Sequence, residues 1–303
     1  MSALRARDET VASPLLQIRD LRLRLGGDAP AWLLRGVSVD VAPGEIVGLV
    51  GESGAGKTMV ARCVLGFAPE NSRITGGELV FDGRDIAHLS PAQRRHLLGR
   101  DIAYIPQNPM TALNPVERIE PQITDVLRMH LDIGKAAARS RALELLSEVH
   151  LRDPARVLRQ YPHELSGGMR QRVLIAIAFA CRPKLVIADE CTTALDVTVQ
   201  KQILRLLREL QSHSGTAILF VTHDLGVVAK LCERVYVMHG GRVLESAPVA
   251  QLFANPGHDY TRALLAATPR FDRPGDLLRP VPAELGERLA AEARAIDARL
   301  AAQ

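Results

Sequence analysis

Residues Leu15 to Leu25 alternate apolar and polar, as a strand with one buried face should. Leu33 to Val41 repeats the alternation, and Gly26-Gly27 begins the turn between them. Glu45 to Val50 is instead a short, continuous apolar run, which predicts a strand covered on both faces. It leads into a Gly-rich segment and then a helix through Phe67. Leu79 to Asp82 and Ile102 to Ile105 predict further strands, whereas Val116 to Val149 spaces its apolar residues three and four apart. Alternation of elements then returns: helix Gly168 to Cys181, strand Leu185 to Ala188, helix Val197 to Gln211, strand Ala217 to Val221. Val235 to Met238 and Arg242 to Glu245 form a hairpin pattern around Gly240-Gly241. The sum predicts an α/β fold with a mostly parallel sheet and an all-helical insertion.

The tail has a different texture. Pro269, Pro274, Pro280 and Pro282 mark an irregular linker. In the following stretch, Ala283 to Leu300, residues Leu285, Leu289, Ile296 and Leu300 share one helical face. That face either packs on the body or docks on a partner.

A chain of 303 residues can bury a sizeable core. A net charge of +4 gives no sign of a dedicated nucleic-acid surface, so no nucleic-acid partner is expected. No stretch reaches the ~18 apolar residues of a membrane span; Val173 to Cys181 stops at Arg182 and Lys184. No signal peptide is expected, because Arg5, Arg7, Asp8 and Glu9 precede no apolar core. Cys63, Cys181, Cys191 and Cys232 lack C-x-x-C spacing and read as reduced thiols. Any membrane role must therefore come through partners.

Two segments have the chemistry of anion cradles. Gly51-Glu52-Ser53-Gly54-Ala55-Gly56-Lys57-Thr58 fits G-x-x-x-x-G-K-[ST] in full, between a strand and a helix. Its backbone N–H groups can wrap phosphates, Lys57 adds a point charge, and Thr58 offers a hydroxyl to Mg²⁺. Leu165-Ser166-Gly167-Gly168-Met169-Arg170-Gln171-Arg172 opens a long apolar helix, with Ser166 as N-cap and Gly167 and Gly168 baring N–H groups. Two cradles on one domain make sense if a nucleotide is pinched between two such domains. Asp189 and Glu190 end a buried strand, where ligands bind in open α/β sheets. Asp189 fits the Mg²⁺ shell, and Glu190 fits the group that orients or deprotonates water. His223 follows another strand, where a lone His is most often structural, and Gln107 carries almost no weight alone.

In order, the chain has Walker A (Gly51 to Thr58), Gln107, the signature Leu165 to Arg172, Walker B (Leu185 to Glu190), Ala194-Leu195-Asp196, and His223. This set resembles the ATP-binding-cassette (ABC) ATPases. The resemblance implies a P-loop cassette with a mostly parallel core sheet, an antiparallel β-subdomain and an inserted α-helical subdomain. The cassette would span residues 15–267, with the helical subdomain at about 108–165, and 268–303 would form a linker and amphipathic helix. It also implies ATP and Mg²⁺ as ligands. Glu190, His223 and Gln107 would be catalytic, and Thr58, Asp189 and Gln107 would lie at the metal. Gly51, Glu52, Ser53, Gly54, Ala55, Gly56, Lys57 and Thr58 would hold nucleotide in one cassette. Ser166, Gly167, Gly168 and Asp196 would reach it from the other.

The segments Pro106 to Pro115, Thr192 to Gln200 and Tyr260 to Leu265 are similar to the peptide/nickel importer subfamily. That likeness implies an ATPase for an importer of peptides or a similar small solute such as nickel. Its partners would be a second ABC ATPase subunit, identical or homologous, two transmembrane permease subunits and, indirectly, a solute-binding protein. Its place would be the cytoplasmic face of the bacterial inner membrane. Three departures stand out. Cys191 follows Glu190 where Pro is usual, Leu25 holds the adenine-stacking position so that either Trp32 substitutes or base stacking is weak, and no Cys follows Cys232. The last predicts no iron–sulfur cluster. A soluble ABC ATPase acting on nucleic acid would need paired cassettes, a coiled-coil insertion or zinc-binding Cys. A kinase or GTPase is opposed by the Leu165 segment and the missing Asn-Lys-x-Asp.

Overall fold

The computed structural model describes residues 13–27, 31–193, 195–268 and 280–302. Most of the Pro-rich linker, Ala194 of the loop before Asp196, and the extreme N-terminus lie outside them. Among the described residues, ten strands make two sheets: β1 (Leu16–Leu25), β2 (Ala31–Val41), β3 (Ile46–Val50), β4 (Ser72–Phe81), β5 (Arg84–Asp85), β6 (Ile102–Ile105), β7 (Leu185–Asp189), β8 (Ala217–Thr222), β9 (Arg234–His239) and β10 (Arg242–Pro248). The order β10-β9-β3-β8-β7-β6 forms a six-stranded sheet that is parallel except for β10. The order β2-β1-β4-β5 forms a separate antiparallel sheet.

The continuous apolar runs are buried on both faces because successive side chains go to different cores. Val47, Leu49, Leu185, Ile187, Leu219 and Val221 join the antiparallel sheet and the helix Lys57–Leu65 in one apolar cluster. Their neighbours Ile46, Val50, Val186, Ala188, Ile218 and Phe220 join the helical region in the other. A charge at any of these positions would lie in a core, whichever way it pointed.

The helical pattern after Val116 resolves into Ile119–Leu131 and Lys135–Glu148, broken at Asp132 in the left-handed conformation. Ile119, Ile123 and Leu127 pack with the small residues Ala138 and Ala142, and with Leu145 and Leu146. Two signature arginines anchor this region. Arg170 Nε donates to the Pro162 carbonyl (2.6 Å), and Arg172 Nη1 donates to Val149 (2.7 Å), at the carboxyl end of Lys135–Glu148.

The sequence expectation lacked the strand Arg84–Asp85 and the helices Leu225–Leu231, Val249–Ala254 and Asp259–Ala267, and two further elements differ from it in instructive ways. β4 begins at Ser72 rather than Leu79, because Gly76-Gly77 interrupts the alternation where the register with β1 shifts. The helix Pro91–Leu97 buries no residue and so has no apolar face to betray it. Its sequence signs are Pro91 at the first helical position and the capping box of Ser90 and Gln93, which the structure shows formed.

The C-terminal helix Ala283–Ala301 packs on the body. Leu289 is 1% exposed, Leu285 is partly buried, and Arg35 grips Asp297 through Nε (2.6 Å) and Nη2 (2.9 Å). Arg242 pairs with Glu292 (3.2 Å), and Arg288 with Asp259 (2.7 Å). Among the described residues, no helix is long and apolar enough to cross a membrane. Because Leu289 is the one buried residue of this helix, Leu289→Ala is expected to weaken docking by about 2 kcal/mol or more. Hydrogen exchange should then rise across 283–301 while protection of β3 and β8 is unchanged.

Candidate functional site

The phosphate loop is shaped by a close approach. β3 runs into Gly51, which has φ 155°, and a Cβ there would lie 2.2 Å from the Met238 carbonyl of β9. Only glycine fits. Beyond it, the hairpin turn at Gly240-Gly241 buttresses the loop: Gly241 N–H donates to Ala55 O (3.0 Å), and Arg35 N–H donates to Gly241 O (2.8 Å). The helix starts at Lys57, and its N-cap Gly56 has no side chain to occupy the first-turn N–H groups. Those groups and the helix dipole favour an anion. Lys57 Nζ donates to Gly51 O (2.8 Å) and Glu52 O (2.9 Å), arching over the loop. Burial pulls the Lys57 pKa down, against the opposing pull of Glu190, Asp189 and Glu52.

Two adjacent carboxylates at the end of β7 go to different places because Glu190 adopts a left-handed conformation (φ 46°). Its N–H donates to Val221 O (2.9 Å), keeping it against β8. Asp189 is buried (3% exposed), accepting from Thr58 Oγ1 and from the Tyr104 hydroxyl, each at 3.2 Å. Burial raises its pKa, and the two hydroxyl donors offset part of that rise. Glu190 collects the polar groups around it. Gln107 Nε2 donates to Oε2 (2.9 Å), His223 Nδ1 is 3.3 Å from Oε1, Lys57 Nζ is 4.0 Å away, and Thr193 Oγ1 donates at 3.5 Å. Lys57, Thr58, Gln107, Asp189, Glu190 and His223 thus form one cluster.

Tyr104 and Thr193 belong to this cluster, although sequence reasoning missed both. Tyr104 is the outward residue of the otherwise buried β6, three positions before Gln107, and a polar aromatic in such a run was the available signal. Thr193 carried none. Cys191, in the position where Pro is usual, is buried and its thiol is pushed up to about 12, so it stays protonated and inert. Leu25 ends β1 opposite Ala31, and Trp32 lies opposite Arg24, whose guanidinium sits 5.6 Å from the ring centroid.

The second cradle stands apart. Ser166 caps the helix Gly167–Phe179, its Oγ accepting from Met169 N–H (3.3 Å). Around Gly167 there is open space, while a Cβ on Gly168 would meet Val199 at 3.0 Å. Asp196 caps the helix Val197–Ser214 by accepting from Thr198 and Val199 N–H, each at 3.0 Å. Among the described residues, no hydrogen bond or ion pair joins Ser166, Gly167, Gly168 or Asp196 to Lys57, Thr58, Asp189 or Glu190. Nor, among them, do three or more His, Cys, Asp or Glu gather as a metal cluster. The Thr58 hydroxyl and the Asp189 carboxylate, bonded at 3.2 Å, are a sparse hard-oxygen pair of the kind Mg²⁺ accepts.

Known proteins resemble this chain in sequence and in fold. The family model of ABC transporters matches residues 34–193, and that of the oligopeptide/dipeptide transporter C-terminal region matches 244–293. A probable peptide ABC transporter ATP-binding protein of Sinorhizobium fredii is 48% identical over 88% of this chain and 80% of its own length. A probable D,D-dipeptide transport ATP-binding protein of Escherichia coli is 46% identical over 90% of this chain and 84% of its own. Among solved structures, a dimeric ATP-binding cassette in a post-hydrolysis state with ADP and Pi superposes with TM-score 0.69. It is 26% identical and covers 77% of this chain and 98% of that one. The match over residues 34–193 and relatives at 46–48% identity, together with the shared fold, place the chain in the ABC transporter family, as one of its ATP-binding, ATP-hydrolysing cassettes.

Proposed function

We propose that this cassette energises an importer of peptides or a similar small solute such as nickel, at the cytoplasmic face of the bacterial inner membrane. The relatives named as peptide and D,D-dipeptide transport proteins and the match at 244–293 support that solute class. We divide the chain into a cassette at 15–267, with its helical subdomain at about 108–165, and an appendage at 268–303. The chain works head to tail with a second cassette, identical or homologous, beneath two permease subunits that receive solute from a binding protein. The observation that carries this reading is the separation of the two cradles: among the described residues, no hydrogen bond or ion pair joins the Ser166 helix end to the Lys57 loop of its own chain.

Phosphoryl transfer needs positioning and charge neutralisation more than covalent help. Residues Gly51 to Thr58 bind the triphosphate, and Lys57 exchanges its two loop carbonyls for phosphate oxygens. Thr58, Asp189 and the Gln107 amide are the groups that would hold Mg²⁺, whose charge would offset that of the β- and γ-phosphates. Glu190 takes the proton of the attacking water, and Gln107 and His223 orient that carboxylate and the γ-phosphate. Ser166, Gly167, Gly168 and Asp196 complete the pocket from the other cassette. Because ATP then contacts both halves, it favours the closed pair, and hydrolysis releases it.

Glu190→Gln is expected to lower turnover by about 100-fold or more, the usual worth of a positioned base, while ATP still binds and the dimer accumulates. Hydrolysis at the wild-type rate would remove Glu190 from this role. Ser166→Arg should leave ATP bound to the Lys57 loop but stop hydrolysis. Co-purification from membranes with two multi-span permeases is the expected outcome for the whole assembly, and recovery with nucleic-acid factors alone would overturn it.

The carboxylate assigned to Mg²⁺ also burdens the empty protein. Since burial raises the folded pKa of Asp189, the stability it confers is present below the ordinary carboxylate pKa and lost as pH rises through the raised one. Asp189→Asn should therefore raise Tm of the nucleotide- and metal-free protein at pH 7, with the gain shrinking as pH falls. Thermal melts at the two pH values check this.

A further inference from the structure

The helix Asp259–Ala267 is tied to the phosphate loop through Tyr260. Tyr260 is fully buried, yet its hydroxyl reaches Glu52: it accepts from the Glu52 N–H (3.4 Å) and donates to Glu52 Oε2 (3.0 Å). The ring is fixed from two sides. His239, at the end of β9, meets it edge-on with centroids 4.8 Å apart. Glu245 of β10 accepts from the N–H groups of Gly257 (2.7 Å) and His258 (3.0 Å), which sets the start of the helix that carries Tyr260. A buried aromatic ring with one polar tip aimed at a loop is a rigid support, because its hydroxyl must keep a partner.

Glu52 is an awkward residue for a phosphate cradle. Its carboxylate sits within the loop, and its charge acts on Lys57. Left free, it would compete with phosphate oxygens for the Lys57 ammonium and repel a polyanion.

We propose that Tyr260 is a positioning residue for ATP: its hydroxyl holds the Glu52 carboxylate and N–H, so that the loop presents Lys57 and its amides, not a loose negative charge, to the phosphates. This makes the segment around Tyr260 part of the nucleotide site without contact to nucleotide. The inference rests on the reading of Gly51 to Thr58 as the phosphate cradle.

The test uses the purified full chain, with ATP affinity from a fluorescent ATP analogue and steady-state ATPase kinetics. Tyr260→Phe keeps the ring and its packing but removes the hydroxyl. It should raise Kd and KM for ATP about fivefold or more, in line with loss of a hydrogen bond to a charged group, with a smaller change in kcat. In a Glu52→Gln background the same substitution should have far less effect, because no charge is left to restrain. An unchanged Kd for Tyr260→Phe would overturn the proposal, and so would an equal rise in both backgrounds, which would assign the tyrosine to packing alone. Lys57→Ala separates the two levels. If it binds ATP like the wild type, the cradle reading itself fails; if it abolishes binding while Tyr260→Phe is silent, only the latch fails.

Discussion

The Glu190 carboxylate is met by groups that follow three other strands of its sheet, and the rest of the site follows from that convergence. It stands at the end of β7, with Gln107 two residues past β6, His223 just past β8, and Lys57 on the helix that follows β3. In the sheet these strands lie in the order β3-β8-β7-β6 and run parallel, so all four carboxyl ends open on the same edge. Ligands of open parallel sheets bind at that edge because loops there can bring polar groups together without burying them. The left-handed turn at Glu190 completes the arrangement. It sends Asp189 inward to Thr58 and Tyr104 and leaves Glu190 among the three other groups.

Charge explains why such a cluster tolerates its own burial. Lys57 loses hydration in the loop, and three carboxylates restore part of what is lost. Asp189 is stabilised by two hydroxyls rather than by a cation in direct contact, which leaves it under-compensated in the nucleotide-free protein. Stability is given up locally for chemistry, as is common where a fold holds unlike charges close to one buried edge.

The C-terminal elements are wired into the same edge. The Gly240-Gly241 turn carries a backbone bond to Ala55, Tyr260 holds Glu52, and the helix Ala283–Ala301 clasps Arg35, whose own Nη1 donates to the Gly240 carbonyl (2.8 Å). The phosphate loop therefore rests on β9, β10 and the helices that follow, in addition to the helix it opens.

Much was legible along the chain. The core strands announced themselves as continuous apolar runs, since residues bound for two different cores leave no polar position between them. The Gly-Lys-Thr loop, the Ser166 cap and the Asp189-Glu190 pair were legible because each depends on local backbone geometry and a fixed short spacing. The helix Pro91–Leu97 and the start of β4 were not, because one buries nothing and the other is interrupted by glycines.

What lay beyond the sequence was every relation between distant segments: Tyr104 on Asp189, Thr193 on Glu190, Tyr260 on Glu52, Arg35 on Asp297. Periodicity reports which face of an element is buried, but not which element covers it. By itself the sequence determined the local cradles and the order of the elements. Sheet order and the turn at Glu190 decided which of those pieces meet, because bonds between side chains far apart in the chain exist only once both strands have taken their places.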